Sequence, residues 1–157
     1  MDVKQKAGRL KQLRYLKGEV ILLSQQIARL EWEIEGSARP RWRGRAAIEH
    51  MARLKALRER LTLRRATCME QLNALVGFID AIDDSYLRQI MAGRYIDGLT
   101  WKEVAARIGE RSEQYPRRLH NRFLMRCELP EALGKAGKEC DGAQTPGREE
   151  KYGEANG

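Results

Sequence analysis

Arg117, Arg118, Asn121 and Arg122, in the C-terminal third of the chain, are residue types that recognise nucleic acid. Arginine pairs bidentately with guanine, asparagine or glutamine pairs with adenine, and arginine neutralises phosphate. They sit in the run "SEQYPRRLHNRFLMR", in which Arg117, Arg118, Arg122 and Arg126 follow one another with no acidic residue between them. If residues 112–126 form a helix with Leu119 and Phe123 inward, steps of about 100° turn Glu113, Gln114, Arg117, Arg118 and Asn121 outward, with His120 and Arg122 flanking them. A helix that is merely solvated more often intersperses Lys and Glu at i and i+4.

A base-reading helix needs a support, and the preceding residues supply its pattern. Asp83 or Asp84 is an N-cap for a helix with an apolar face of Leu87, Ile90, Met91 and Tyr95, ended by Gly98. Thr100 and Glu103 have capping-box spacing. Trp101, Val104, Ala105 and Ile108 then form a one-sided stripe, which Gly109 terminates. Small Ala105 allows close crossing, Gly109 allows positive φ, and Ser112 offers the next N-cap. Residues 84–129 are therefore expected to be a helix-turn-helix with a supporting helix in front.

Upstream, Leu13, Leu16, Val20, Leu23, Ile27, Leu30 and Ile34 alternate steps of three and four, a heptad seam. A second series runs Leu54, Leu57, Leu61, Cys68, Leu72, Leu75, Ile79 and Ile82, interrupted at Arg64 and Arg65. Residues 1–83 are expected to form a helical hairpin or coiled coil, closed within one chain or as a homodimer through these helices. Between the seams, "GSARPRWRGR" carries Arg39, Arg41, Arg43 and Arg45 around Trp42, a turn able to contact phosphates or a partner, with Trp42 also suited to capping the hairpin end. The fold class is all-α. Residues 130–157, rich in glycine and charge, are expected to be a flexible tail after at most one helical turn.

The segment "YLRQIMAGRYIDGLTWKEVAARIG...RRLHNRFL", residues 86–124, resembles the promoter-reading fourth region of bacterial sigma factors. More closely, it is similar to phage and prophage proteins of the RinA and ArpU type, which regulate late transcription. The resemblance covers about a quarter of the chain. It implies that Gln114, Arg117, Arg118 and Asn121 occupy recognition-helix positions and that Thr100, Trp101 and Lys102 open the helix that touches the DNA backbone. It also implies a phage-encoded transcription regulator in a bacterial host, with RNA polymerase as a further partner. Two departures bear on the helix start: the turn "GERS" is one residue longer than usual, and Pro116 stands where an apolar residue is expected. The helix then begins either at the Ser112 cap or with Pro116 in its first turn, and both starts keep Arg117, Arg118 and Asn121 helical.

The rest of the composition fits this reading. The 157 residues carry a net charge of +8. The excess is concentrated in residues 36–45, with four basic groups and no acidic one, and in residues 84–127, with nine against five. The charge points to a polyanionic partner, and the helix-turn-helix reading makes double-stranded DNA the expected one. Cys68, Cys127 and Cys140 are widely spaced, and His50 and His120 lack ligands at metal spacing, so no metal site and no cofactor are called for. No serine, cysteine or lysine is set up as a nucleophile, so no catalytic residue is named and an enzyme is the least favoured class. No apolar run reaches transmembrane length, and the expected location is the cytoplasm. The alternative reading is an assembly protein, either a DNA-packaging subunit resembling a small terminase or a polymerase-binding module.

Overall fold

The computed structural model describes residues 1–37 and 44–134. The described residues form seven helices and no strand: α1 (Val3–Leu13), α2 (Leu16–Ser37), α3 (Arg45–Asp80), α4 (Ser85–Tyr95), α5 (Trp101–Arg107), α6 (Gln114–Arg126) and α7 (Glu131–Gly134). The all-α class is as expected. None of these helices is long and apolar enough to cross a membrane.

The two leucine seams pack against each other within the chain. Leu16, Leu23, Ile27 and Leu30 of α2 are buried, as are Leu54, Cys68, Leu75 and Ile79 of α3. Each fully buried leucine or isoleucine contributes roughly 1.5–3 kcal/mol, so the seams dominate this pairing. The polar interruption in α3 is accommodated at the seam's edge. Arg64 Nη2 lies 3.0 Å from Glu19 Oε1, and Arg65 donates to Ser24 Oγ at 3.5 Å. Exposed ion pairs of this kind are worth at most about 1 kcal/mol, so they fix register more than they stabilise.

The first seam is not one helix. The chain breaks at Arg14 and Tyr15, and Leu13 ends α1 while Leu16 begins α2. The break lets α1 turn its buried side, Lys6, Leu10 and Leu13, onto the C-terminal helices. Asp2 and Gln5 close a capping box at the start of α1.

Because α3 is 36 residues long against 22 for α2, about 54 Å against about 33 Å, its last turns run on toward α4. There Leu75, Ile79 and Ile82 share one apolar cluster with Leu10 and Leu13 of α1, Met91 and Tyr95 of α4, Leu124 of α6 and Leu133 of α7. The boundary expected after residue 83 is therefore not a break in packing. Nor does the packed structure stop at 129, since Leu133 is only 1% exposed. The expected tail from 135 onward lies outside the described residues.

Candidate nucleic-acid interface

The local signals between residues 84 and 109 act as the sequence implies. The Asp84 carboxylate accepts from the Tyr86 and Leu87 amides, and α4 stops at Tyr95 with Gly98 at φ 69°. Thr100 Oγ1 accepts from the Glu103 amide while Glu103 Oε2 accepts from the Thr100 amide, the full reciprocal cap of α5. That contact, with a further hydrogen bond from the Thr100 hydroxyl, holds the Glu103 carboxyl below its ordinary range. Gly109, at φ 78°, turns the chain away from α5, and Ala105 is buried.

α6 begins at Gln114 rather than Ser112. Its N-cap position is Glu113, and the Ser112 hydroxyl accepts from the Gln114 amide at 3.2 Å. Pro116 is thus the third helical residue, where a backbone N–H would have no partner within the helix, and its ring is buried.

The rotation of α6 also differs from expectation. Its buried residues are Pro116, His120 and Leu124 at i, i+4 and i+8, with Leu119 only half-buried. His120, expected beside the outward face, is 2% exposed. A histidine is tolerated there because both ring nitrogens are satisfied. Nε2 lies 2.5 Å from the Tyr95 hydroxyl and Nδ1 lies 2.9 Å from Asn121 Oδ1. The neutral tautomer with its proton on Nδ1 fits this network, donating to Asn121 and accepting from Tyr95. Burial pushes the Tyr95 phenol up to about 12, which keeps it a donor. The ring edge of His120 also packs against Trp101, with centroids 4.9 Å apart.

Burial pulls the His120 pKa down, Arg94 adds to this, and the Asn121 bond partly opposes it. An unfolded histidine titrates near ~6.5. The unfolded chain therefore binds more protons than the folded one below that pH, and stability from His120, complete above it, is lost as pH falls toward the depressed folded value. Melting temperature should decline from about pH 6.5 to pH 5 in the native protein, and His120→Gln should flatten that decline. Parallel curves for the two proteins would show that His120 is not the titrating group.

The turned helix still leaves Gln114, Arg117, Arg118, Asn121 and Arg122 exposed together. Arg117 Nη2 is 3.1 Å from Glu113 Oε1, and its guanidinium lies 5.7 Å from the Trp101 ring. Arg118 lies 6.0 Å from the Tyr115 ring. Arg122 forms no ion pair with the described residues. Comparison with protein-family models, curated proteins and solved structures finds no match.

Of the residues at the start of α5, Thr100 is occupied as a cap and Trp101 is half-buried between Arg94 and Arg117, while Lys102 is exposed. Arg39, Arg41, Trp42 and Arg43 lie outside the described residues. Arg45 is exposed, 3.5 Å from Glu49, at the end of α3 remote from α4. About 50 Å of helix separates it from α6, so it belongs to a different surface.

The sequence did not place α1 at this site. Lys4, Gly8 and Lys11 of α1 face Arg94, Trp101, Arg117 and Asn121 across a cleft of about 340 Å³. Their i, i+4, i+7 spacing is a face pattern, but its significance depends on the other side of α1, where Lys6 is buried. Lys6 Nζ donates to the Leu124 and Cys127 carbonyls at 2.8 and 2.5 Å, fastening α1 to the end of α6.

Proposed function

We propose that this chain binds duplex DNA sequence-specifically, inserting α6 into the major groove, and regulates transcription in the manner of phage-encoded factors with a sigma-like helix-turn-helix. The observation that supports this most is the joint exposure of Gln114, Arg117, Arg118, Asn121 and Arg122 on a helix whose opposite side is fixed by Pro116, His120 and Leu124. Major-groove readout requires such a set of donors and acceptors on one rigid cylinder. Lys102 at the start of α5 is a backbone contact in this reading, and the hairpin α2–α3 is the part that meets RNA polymerase or a second copy. Since the leucine seams are filled within one chain, a homodimer would use the outer sides of these helices.

Selection of bound fragments from a random duplex library tests the reading. A short enriched sequence, abolished by the double variant Arg117→Ala/Arg118→Ala, which leaves the Asn121–His120 contact in place, is the expected outcome. Recovery of unselected sequence would remove specific recognition from the proposal. Light scattering distinguishes the assembly alternative: a monomer or dimer fits regulation, and a large ring fits DNA packaging.

A further inference from the structure

The cleft between α1 and α6 is a concentration of positive charge that the protein itself leaves largely uncompensated. Lys4 and Lys11 enter it from α1, Arg94 from α4 and Arg117 from α6, and no carboxylate lines it. Neither lysine forms an ion pair with the described residues, and both are exposed. Among the described residues, Glu113, which holds Arg117 at 3.1 Å, is the one ion-pair partner of this group. Arg94 is further crowded: burial and the charge of neighbouring Arg14 both pull its pKa down.

Trp101 organises the cations. The Arg94 guanidinium lies 5.0 Å from the indole centroid and that of Arg117 lies 5.7 Å from it, so one ring orients two arginines and separates them. At the middle of the α1 wall, Gly8 presents no side chain, and a Cβ built there would meet nothing within 4 Å. The cleft therefore combines fixed donors, open space and like charges whose repulsion an anion would relieve.

Its position favours a polymeric anion over an isolated one. The cleft is open to solvent, and Arg117 and Asn121 belong both to its wall and to the exposed side of α6. A duplex seated on α6 would carry its sugar-phosphate backbone past this edge.

We infer that α1 is a second, sequence-independent DNA arm, in which Lys4 and Lys11 hold the phosphodiester backbone beside the groove that α6 enters. This rests on the DNA-binding reading above and adds to it a surface contributed by the first turns of the chain.

The test is the salt dependence of binding to a fluorescein-labelled, random-sequence duplex, measured by anisotropy for the native protein, Lys4→Ala/Lys11→Ala, and Lys55→Ala as a control on the exposed side of α3. Each phosphate contact contributes about 0.9 to the slope of log K against log salt. The double variant should lose about 2 from that slope, and Lys55→Ala should lose nothing. Because both α1 lysines are exposed, thermal unfolding should match the native protein. An unchanged slope in the double variant, with native binding intact, overturns the role of α1 and leaves DNA binding by α6 standing. An equal loss from Lys55→Ala also overturns it, since the effect would then be one of general charge. Failure of the native protein to bind any duplex overturns both.

Discussion

Replacing Lys6 with methionine is expected to lower stability by about 3 kcal/mol. Lys6 is 8% exposed, and its ammonium donates to the Leu124 and Cys127 carbonyls. Those carbonyls belong to the last turn and C-cap of α6, where a helix runs out of its own donors. Hydrogen bonds from a charged donor contribute about 1.5–3 kcal/mol each, and a cation at a helix C-terminus adds about 0.3–1 kcal/mol. Methionine preserves much of the apolar stem, so the variant removes chiefly the ammonium and strands two carbonyls. For a chain of this size the melting temperature should fall by roughly 6–12 °C. A fall below about 2 °C would mean that water replaces the ammonium without cost. The binding consequence should exceed that of any exposed lysine, because α1 would lose its fastening to α6 and the Lys4–Lys11 wall of the cleft would lose its position.

Lys6 also marks where reading the sequence reaches its limit. A lysine followed by leucines at i+4 and i+7 looks like a solvated neighbour of an apolar stripe. Its burial depends on carbonyls 118 and 121 residues away. Asp84, the Thr100–Glu103 pair, Gly98 and Gly109 were legible because each acts on backbone within a few residues, through a cap or a positive φ. The two leucine seams were legible because burial repeats with the period of the helix itself. Their break at Arg14 and Tyr15 was not, since neither residue is a local helix breaker and the bend is driven by what Leu10 and Leu13 cover.

The same distinction explains α6. Its arginines and Asn121 could be recognised by type, but its rotation could not. Leu119, Phe123 and Leu124 allow more than one inward direction, and the choice is made by a polar residue. His120 becomes a core residue only because Tyr95, a helix away, and adjacent Asn121 occupy both its nitrogens. A polar side chain buried with all its partners leaves no periodic trace. Had Leu119 pointed fully inward, α6 would have been turned about its axis as a whole, leaving Arg117, Arg118 and Arg122 fixed relative to one another but changing which of them face away from the core.

Arg117→Ala is expected to relax recognition at one base position by about 1–3 kcal/mol, the worth of a bidentate arginine–guanine pair, or roughly 5- to 150-fold in the ratio of specific to random binding. Arg117 suits this role because its guanidinium is held before DNA arrives, by Glu113 at 3.1 Å and by the Trp101 ring at 5.7 Å, while remaining exposed. A side chain already ordered loses less conformational entropy on pairing than a free one. Its place on the cleft wall offers a competing role as a phosphate contact, and the two roles predict different patterns. Base readout lowers affinity for the selected site much more than for a scrambled duplex. Phosphate contact lowers both equally and removes about 1 from the salt slope. Competition binding with the two duplexes resolves them, and Glu113→Gln sharpens the result. Removing the Glu113 charge loosens Arg117 without removing it, so discrimination should weaken partially if pre-ordering matters and remain intact if the guanidinium finds its base unaided.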